Sequence, residues 1–222
     1  MPPLRSLANM SPARPDLRSV RVDHWRWRDV GGAWGPAVFV VASAVAARRQ
    51  PGYSHRRDHI SGLAGRQTRS AVVMIPGFAA LGVANLTMPG NHRSERVLLR
   101  VAGGATILAG VFRCSDVRCP DPTRDPDATA SDTVHAIASV VTFTAWTLLP
   151  FFDASHRRSP MARAIVLSHG VVTAAAFVAA GLTARSNHAN KGLAQRLFLG
   201  SVFAWHVSTA FSSRYRSSGE GG

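Results

Sequence analysis

Three histidines and one aspartate are the residues of this chain best suited to chemistry. His169 and His206 fall well inside apolar runs, His135 stands at the mouth of another, and Asp116 lies in the polar loop before it. An ionisable side chain at such a place is costly unless partnered, which points to a use. Three imidazoles and a carboxylate suit a catalytic zinc with one position left for water, the logic of an intramembrane lipid hydrolase. Depth opposes that grouping: at about 1.5 Å per helical residue, His169 and His206 lie some turns below His135 and Asp116. His169 and His206, at similar depth on consecutive runs, also suit the axial pair of a b-type haem. Hydrogen bonds between helices account for the same rings without any cofactor. No cofactor is therefore expected, with zinc or haem b as the alternatives.

Two polar stretches add further candidates. The first, from Pro51 to Gly65, is far richer in Ser, His, Asp and Tyr than a connector requires. Tyr53, Ser54, Asp58 and Ser61 in it, with Asp116 and His135, could line a polar vestibule at one end of a helical bundle. The plainer reading has Ser54 or Asp58 cap a short helix that lays Ile60 and Leu63 on the membrane surface. The second stretch holds both cysteines, Cys114 and Cys119. Facing an oxidising compartment they would close a small disulfide ring; free or metal-bound thiols are the alternatives. There is no Gly-rich phosphate loop and no Gly-x-Ser-x-Gly elbow, and the only glutamates are Glu95 and Glu220. Acid/base catalysis by buried carboxylates has little material here, and the chain is not expected to be an enzyme.

What could position these residues follows from how charge and apolarity are distributed. A net charge of +14 beside 46% hydrophobic residues over 222 positions requires that the two be segregated. They are: arginines cluster at the ends of apolar runs, where they meet lipid phosphates rather than nucleic acid. The runs cover residues 30–47, 70–88, 97–112, 133–152, 162–184 and 193–211, each near the length that crosses a hydrocarbon core of about 30 Å. The predicted fold is all-α, a transmembrane bundle of six helices with short loops over 30–212. A basic tail, 1–29, precedes it and ends in a Trp/Arg anchor, and a polar tail, 213–222, follows it. Cleavage after Ala44 or Ala46, as in a secretory signal, is the rival for the first run; the long basic leader favours an uncleaved helix.

Small residues recur inside the runs, as in Gly77, Ala80 and Ala84, or Gly103, Gly104, Ala105 and Ala109, and allow close helix packing in lipid. Arg100, near the start of the third run, can snorkel to the headgroups. Basic residues divide almost evenly between the two ends, so charge bias barely sets orientation. The Arg-rich leader and the acidic loop with Asp116, Asp121, Asp125, Asp127 and Asp132 favour both termini in the cytoplasm.

The order of parts resembles the domain-of-unknown-function 998 (DUF998) family of bacterial multi-pass membrane proteins. The likeness rests on Pro51-Gly52-Tyr53-Ser54 and Ile60-Ser61-Gly62-Leu63, then Gly110-Val111-Phe112 with Cys114, Asp116 and Cys119, then His135. It spans residues 30–211, while the leader and Arg56-Arg57 look like additions. The resemblance implies a six-helix protein of the bacterial plasma membrane with no established activity. Membrane lipids, another membrane protein or a second copy of the chain are the expected partners, and nucleic acid is not.

Overall fold

The computed structural model describes residues 27–219, with side chains over 32–210. The predicted basic tail and its Trp/Arg anchor therefore fall almost wholly outside the described residues. Six helices follow one another: α1 (Trp27–Arg49), α2 (Ala71–Thr87), α3 (Arg93–Val111), α4 (Ala130–Ser155), α5 (Pro160–Arg185) and α6 (Lys191–Gly219). One turn of 3-10 helix, Ile60–Ala64, lies between α1 and α2, and no strand occurs among the described residues.

Most helices overrun the apolar runs that predict them, because a run marks only the apolar stretch of a helix, while caps decide where it ends. Thr129 caps α4 in a reciprocal box with Asp132, so α4 begins ahead of residue 133. Ser159 caps α5, and Pro160 takes the first turn, where its missing N–H is no loss. The sixth helix carries its backbone to Gly219, through most of the stretch expected as a polar tail. Nothing in Ser212–Gly219 forbids helix, and an apolar window cannot see a polar extension.

Each helix packs on the next, and α1 closes on α6, so the six form a ring in chain order. Short connections leave antiparallel neighbours as the simplest arrangement. Phe39, Phe78, Leu81, Trp146, Leu149, Phe198 and Val202 fill the centre. Small residues let α1, α2 and α3 approach: Gly77 faces Ala42, and Gly82 and Gly103 face one another's carbonyls. Gly104 faces open space, so the small-residue face of α3 is only partly used.

Two helices, α4 and α5, are long and apolar enough to cross a membrane, and α2 is a shorter apolar helix. Their surroundings differ. The apolar window of α4 is 39% buried inside the bundle, and that of α5 only 17%.

Candidate functional site

The odd-numbered connections, 50–70, 112–129 and 186–190, meet at one end of the ring and form a lid over it. Its floor is the 3-10 turn. Ile60 and Leu63 are buried in the bundle core rather than laid on an outer surface, and the turn has no side-chain cap. Ser54 and Asp58 instead close the preceding turn, with Ser54 N donating to Asp58 Oδ2 at 2.7 Å. The expected capping fails because Asp58 is already engaged, and Ile60 N is taken by Gln195 Oε1 of α6 at 2.7 Å.

Arg196 ties the lid to α6. Its guanidinium donates to the Tyr53 hydroxyl, to the His55 carbonyl, and to the Asp58 carbonyl at 3.1 Å. Burial raises the Tyr53 phenol above its ordinary pKa, against the opposing pull of Arg196. His59 is pushed down to about 4, chiefly by burial and then by the charge of Lys191. Its ring is held neutral at ordinary pH.

The seam between the first and third connections depends on backbone approach. Arg66 N donates to Cys114 O at 2.8 Å, and Gln67 N to Ser115 O at 3.2 Å. A Cβ at Gly62 would overlap the Val117 carbonyl, so only glycine fits that seam. Cys114 and Cys119 are joined in a disulfide with their Cα atoms 5.0 Å apart, and Ser61 Oγ lies 3.6 Å from Cys119 Sγ. Asp132, deep in the seam, accepts from the Ser115 amide at 2.7 Å and from the Thr129 amide at 2.8 Å.

Below the lid is a cavity of about 30 Å³, room for one water. Phe39, Phe78, Leu81, Phe143, Trp146 and Leu199 make it mainly apolar, and Ser61, Thr106, Ser139, Thr142 and Gln195 supply polar edges.

Of the predicted vestibule residues, Tyr53, Ser54 and Asp58 belong to the Arg196 cluster, whereas Ser61 and Asp116 belong to the seam with the third connection. Asp116 Oδ1 accepts from Arg118 N at 2.7 Å and helps to shape the loop. His135 is buried beneath it. Its Nδ1 lies 2.8 Å from Ala109 O and 3.0 Å from Phe112 O, so Nδ1 carries the proton and donates to α3. Its Nε2 has no partner, and the ring lies near the disulfide. Tyr53, Ser54, Asp58 and Ser61 are thus tied into the lid, while Asp116 borders an open groove of about 550 Å³ with Arg66, Gln67, Ser115 and Thr129.

The grouping of His135, His169, His206 and Asp116 as zinc ligands is not formed: no three of them bring ligand atoms within 4.8 Å of one another. The physical reason is that each is engaged elsewhere. His169 Nε2 donates to Ser201 O of α6 at 2.8 Å. His206 Nε2 meets Asn85 Oδ1 of α2 at 3.1 Å, and the same oxygen accepts from Trp146 Nε1 of α4 at 3.0 Å. The two rings thus serve different pairs of helices. Both act as polar ties across the bundle.

A second cluster escaped the sequence reading. His92, Glu95 and His156 bring ligand atoms within 4.8 Å of one another at the end of the ring opposite the lid. The available signal was the spacing of His92 and Glu95, three apart at the start of α3, together with the rarity of glutamate. Nothing local in the sequence points from them to His156.

The family described as a protein of unknown function (DUF998) matches residues 33–212. The chain belongs to this family. The match takes in α2 to α5 whole, most of α1 and α6, and every lid residue named above, as the motif order led us to expect. No curated protein and no solved structure matches this DUF998 chain.

Proposed function

We propose that this DUF998 chain is an integral protein of the bacterial plasma membrane that crosses the bilayer six times and acts by binding lipid or a partner membrane protein, not by catalysis. The observation that carries the reading is the outer surface of α5. Ile165, Val171, Val172, Val178 and Leu182 are each 58–64% exposed there. A continuous apolar helix face of that length belongs against lipid tails or another apolar helix.

The other helices support this in the same way. Val40, Val41, Val72, Val101, Ile137 and Val140 also point outward, while Asn85, His206 and Trp146 satisfy one another inside. An apolar exterior around a partnered polar interior suits a bilayer. Arg100 is exposed near the start of α3, where its stem can lie along the helix and its charge can reach headgroups. The disulfide favours the lid on the oxidising side, which puts both termini in the cytoplasm.

Alkaline extraction of membranes from expressing cells tests the first part: the chain is expected to stay in the membrane pellet, and release into the supernatant would overturn the reading. Native mass spectrometry from mild detergent tests the second. Retained phospholipid, a second copy or a co-purifying membrane protein is expected; a bare monomer at every detergent strength counts against binding.

A further inference from the structure

The end of the ring opposite the lid contains a buried carboxylate with an unpartnered oxygen. Glu95 is only 2% exposed; its Oε2 accepts from Asn91 N at 2.8 Å, while its Oε1 has no hydrogen-bond partner. A buried carboxylate oxygen left without donor or cation is costly, and proteins seldom leave one so. Arg157 is near enough for its charge to act with Glu95, yet its guanidinium is committed to Asp153, with Nε and Nη2 at 2.8 and 2.7 Å from the two carboxylate oxygens.

Two imidazoles stand beside the Glu95 carboxylate. His92 is the N-cap of α3 and His156 the C-cap of α4, and their rings stack with centroids 3.6 Å apart and planes 15° from parallel. One ligand atom from each of His92, Glu95 and His156 lies within 4.8 Å of the other two. His156 Nδ1 is 2.7 Å from the Phe152 carbonyl, so Nδ1 donates there and Nε2 keeps its lone pair for another partner. Face-to-face rings do not aim their in-plane lone pairs at one point, so ligation requires the exposed His156 ring to turn on its side chain until Nε2 faces Glu95.

We propose that His92, Glu95 and His156 bind a first-row divalent transition-metal ion of the zinc type, which clasps the start of α3 to the end of α4. Two nitrogens and one carboxylate are the donor set of a three-ligand zinc centre, whereas calcium and magnesium favour all-oxygen cages. The ion supplies the partner that Oε1 lacks. An open groove of about 610 Å³, bordered by Arg93, Ser94, Val97 and Phe152, reaches both His92 and His156. The site stands apart from the lid and does not depend on lipid binding.

Zinc titration of the full chain in detergent, stripped with chelator and kept free of reductant so that Cys114–Cys119 stays closed, tests the proposal by elemental analysis and thermal melting. Equimolar zinc and a raised melting temperature are expected. His156→Ala, at an exposed position, should weaken zinc binding by more than the roughly 10- to 100-fold that loss of an outer partner costs. Glu95→Gln should do the same, and His92→Ala keeps the test open if Glu95→Gln fails to fold. Clearly substoichiometric zinc in the wild type, or affinity unchanged in His156→Ala and His92→Ala, overturns the proposal. So does zinc binding that is lost only when Cys114 and Cys119 are both replaced by serine.

Discussion

The two ends of the helical ring handle polar groups in opposite ways. At the lid, the fastening charges are bonded locally: Arg196 holds Tyr53 and two carbonyls, and Asp132 gathers the Ser115 and Thr129 amides. His59 and His135 each leave one ring nitrogen unpartnered there, but no carboxylate joins them. At the opposite end, Asp153 and Arg157 satisfy each other while Glu95 keeps one oxygen without a partner and has two imidazoles beside its carboxylate. A region whose polar groups satisfy one another is built to hold shape. One that keeps a donor set open is built to receive something.

The contrast breaks most sharply at Asp153. Its ion pair with Arg157 is largely buried, with the two side chains 5% and 19% exposed. Asp153→Ala leaves a half-buried guanidinium without its partner and should cost about 3 kcal/mol, read as a lower thermal midpoint in detergent. An unchanged midpoint would show that this end is not held by the pair. At the lid, Gly62→Val should cost a similar or slightly smaller amount, about 2–3 kcal/mol, because a side chain there must displace the Val117 backbone. Protease nicking within residues 50–70 is the direct readout, and wild-type resistance in the variant would refute the seam.

The lid's own stitching should matter less per link. Replacing both cysteines by serine opens a short loop and is expected to lower stability by about 2 kcal/mol, with cleavage in 112–129 as the local signal. His59 adds a pH dependence. Its folded pKa, about 4, lies below the ordinary 6.5, so the unfolded chain takes up the proton first as pH falls. The lid is fully stable above about pH 6.5 and loses stability down to about pH 4, by at most about 3 kcal/mol in all. His59→Gln should flatten that slope, and an equally steep profile would assign it to another group.

How much of this the sequence reveals depends on the range of the interaction. Helix number follows from apolar runs such as 162–184, because periodic burial and span length are local properties. The Cys114–Cys119 spacing likewise carries its own geometry. The inward turn of Ile60 and Leu63 does not, since it requires Gln195 of α6 to take the Ile60 amide. His169 and His206 draw attention as isolated ionisable groups, yet their partners are a backbone carbonyl and an asparagine on other helices. His156 joins Glu95 only because α3 and α4 lie side by side. Chemistry assembled across helices leaves no spacing to read.

The smallest effect belongs to the ion pair on the lid's surface. Arg124 Nε lies 3.8 Å from Asp121 Oδ2, with side chains 52% and 40% exposed. At that exposure water screens the attraction, and the cost of ordering two side chains offsets much of it. The same guanidinium also donates to the Arg185 carbonyl, linking the third connection to the end of α5. Arg124→Gln keeps a donor for that carbonyl and removes only the charge, so it should change stability by less than about 0.5 kcal/mol. Arg124→Ala removes both. A distinctly larger loss in the alanine variant alone, measured by melting at high salt, would mean that the lid is held at this corner by the hydrogen bond to α5, whereas equal small losses would leave the Arg196 cluster and the Gly62 seam as its fastenings.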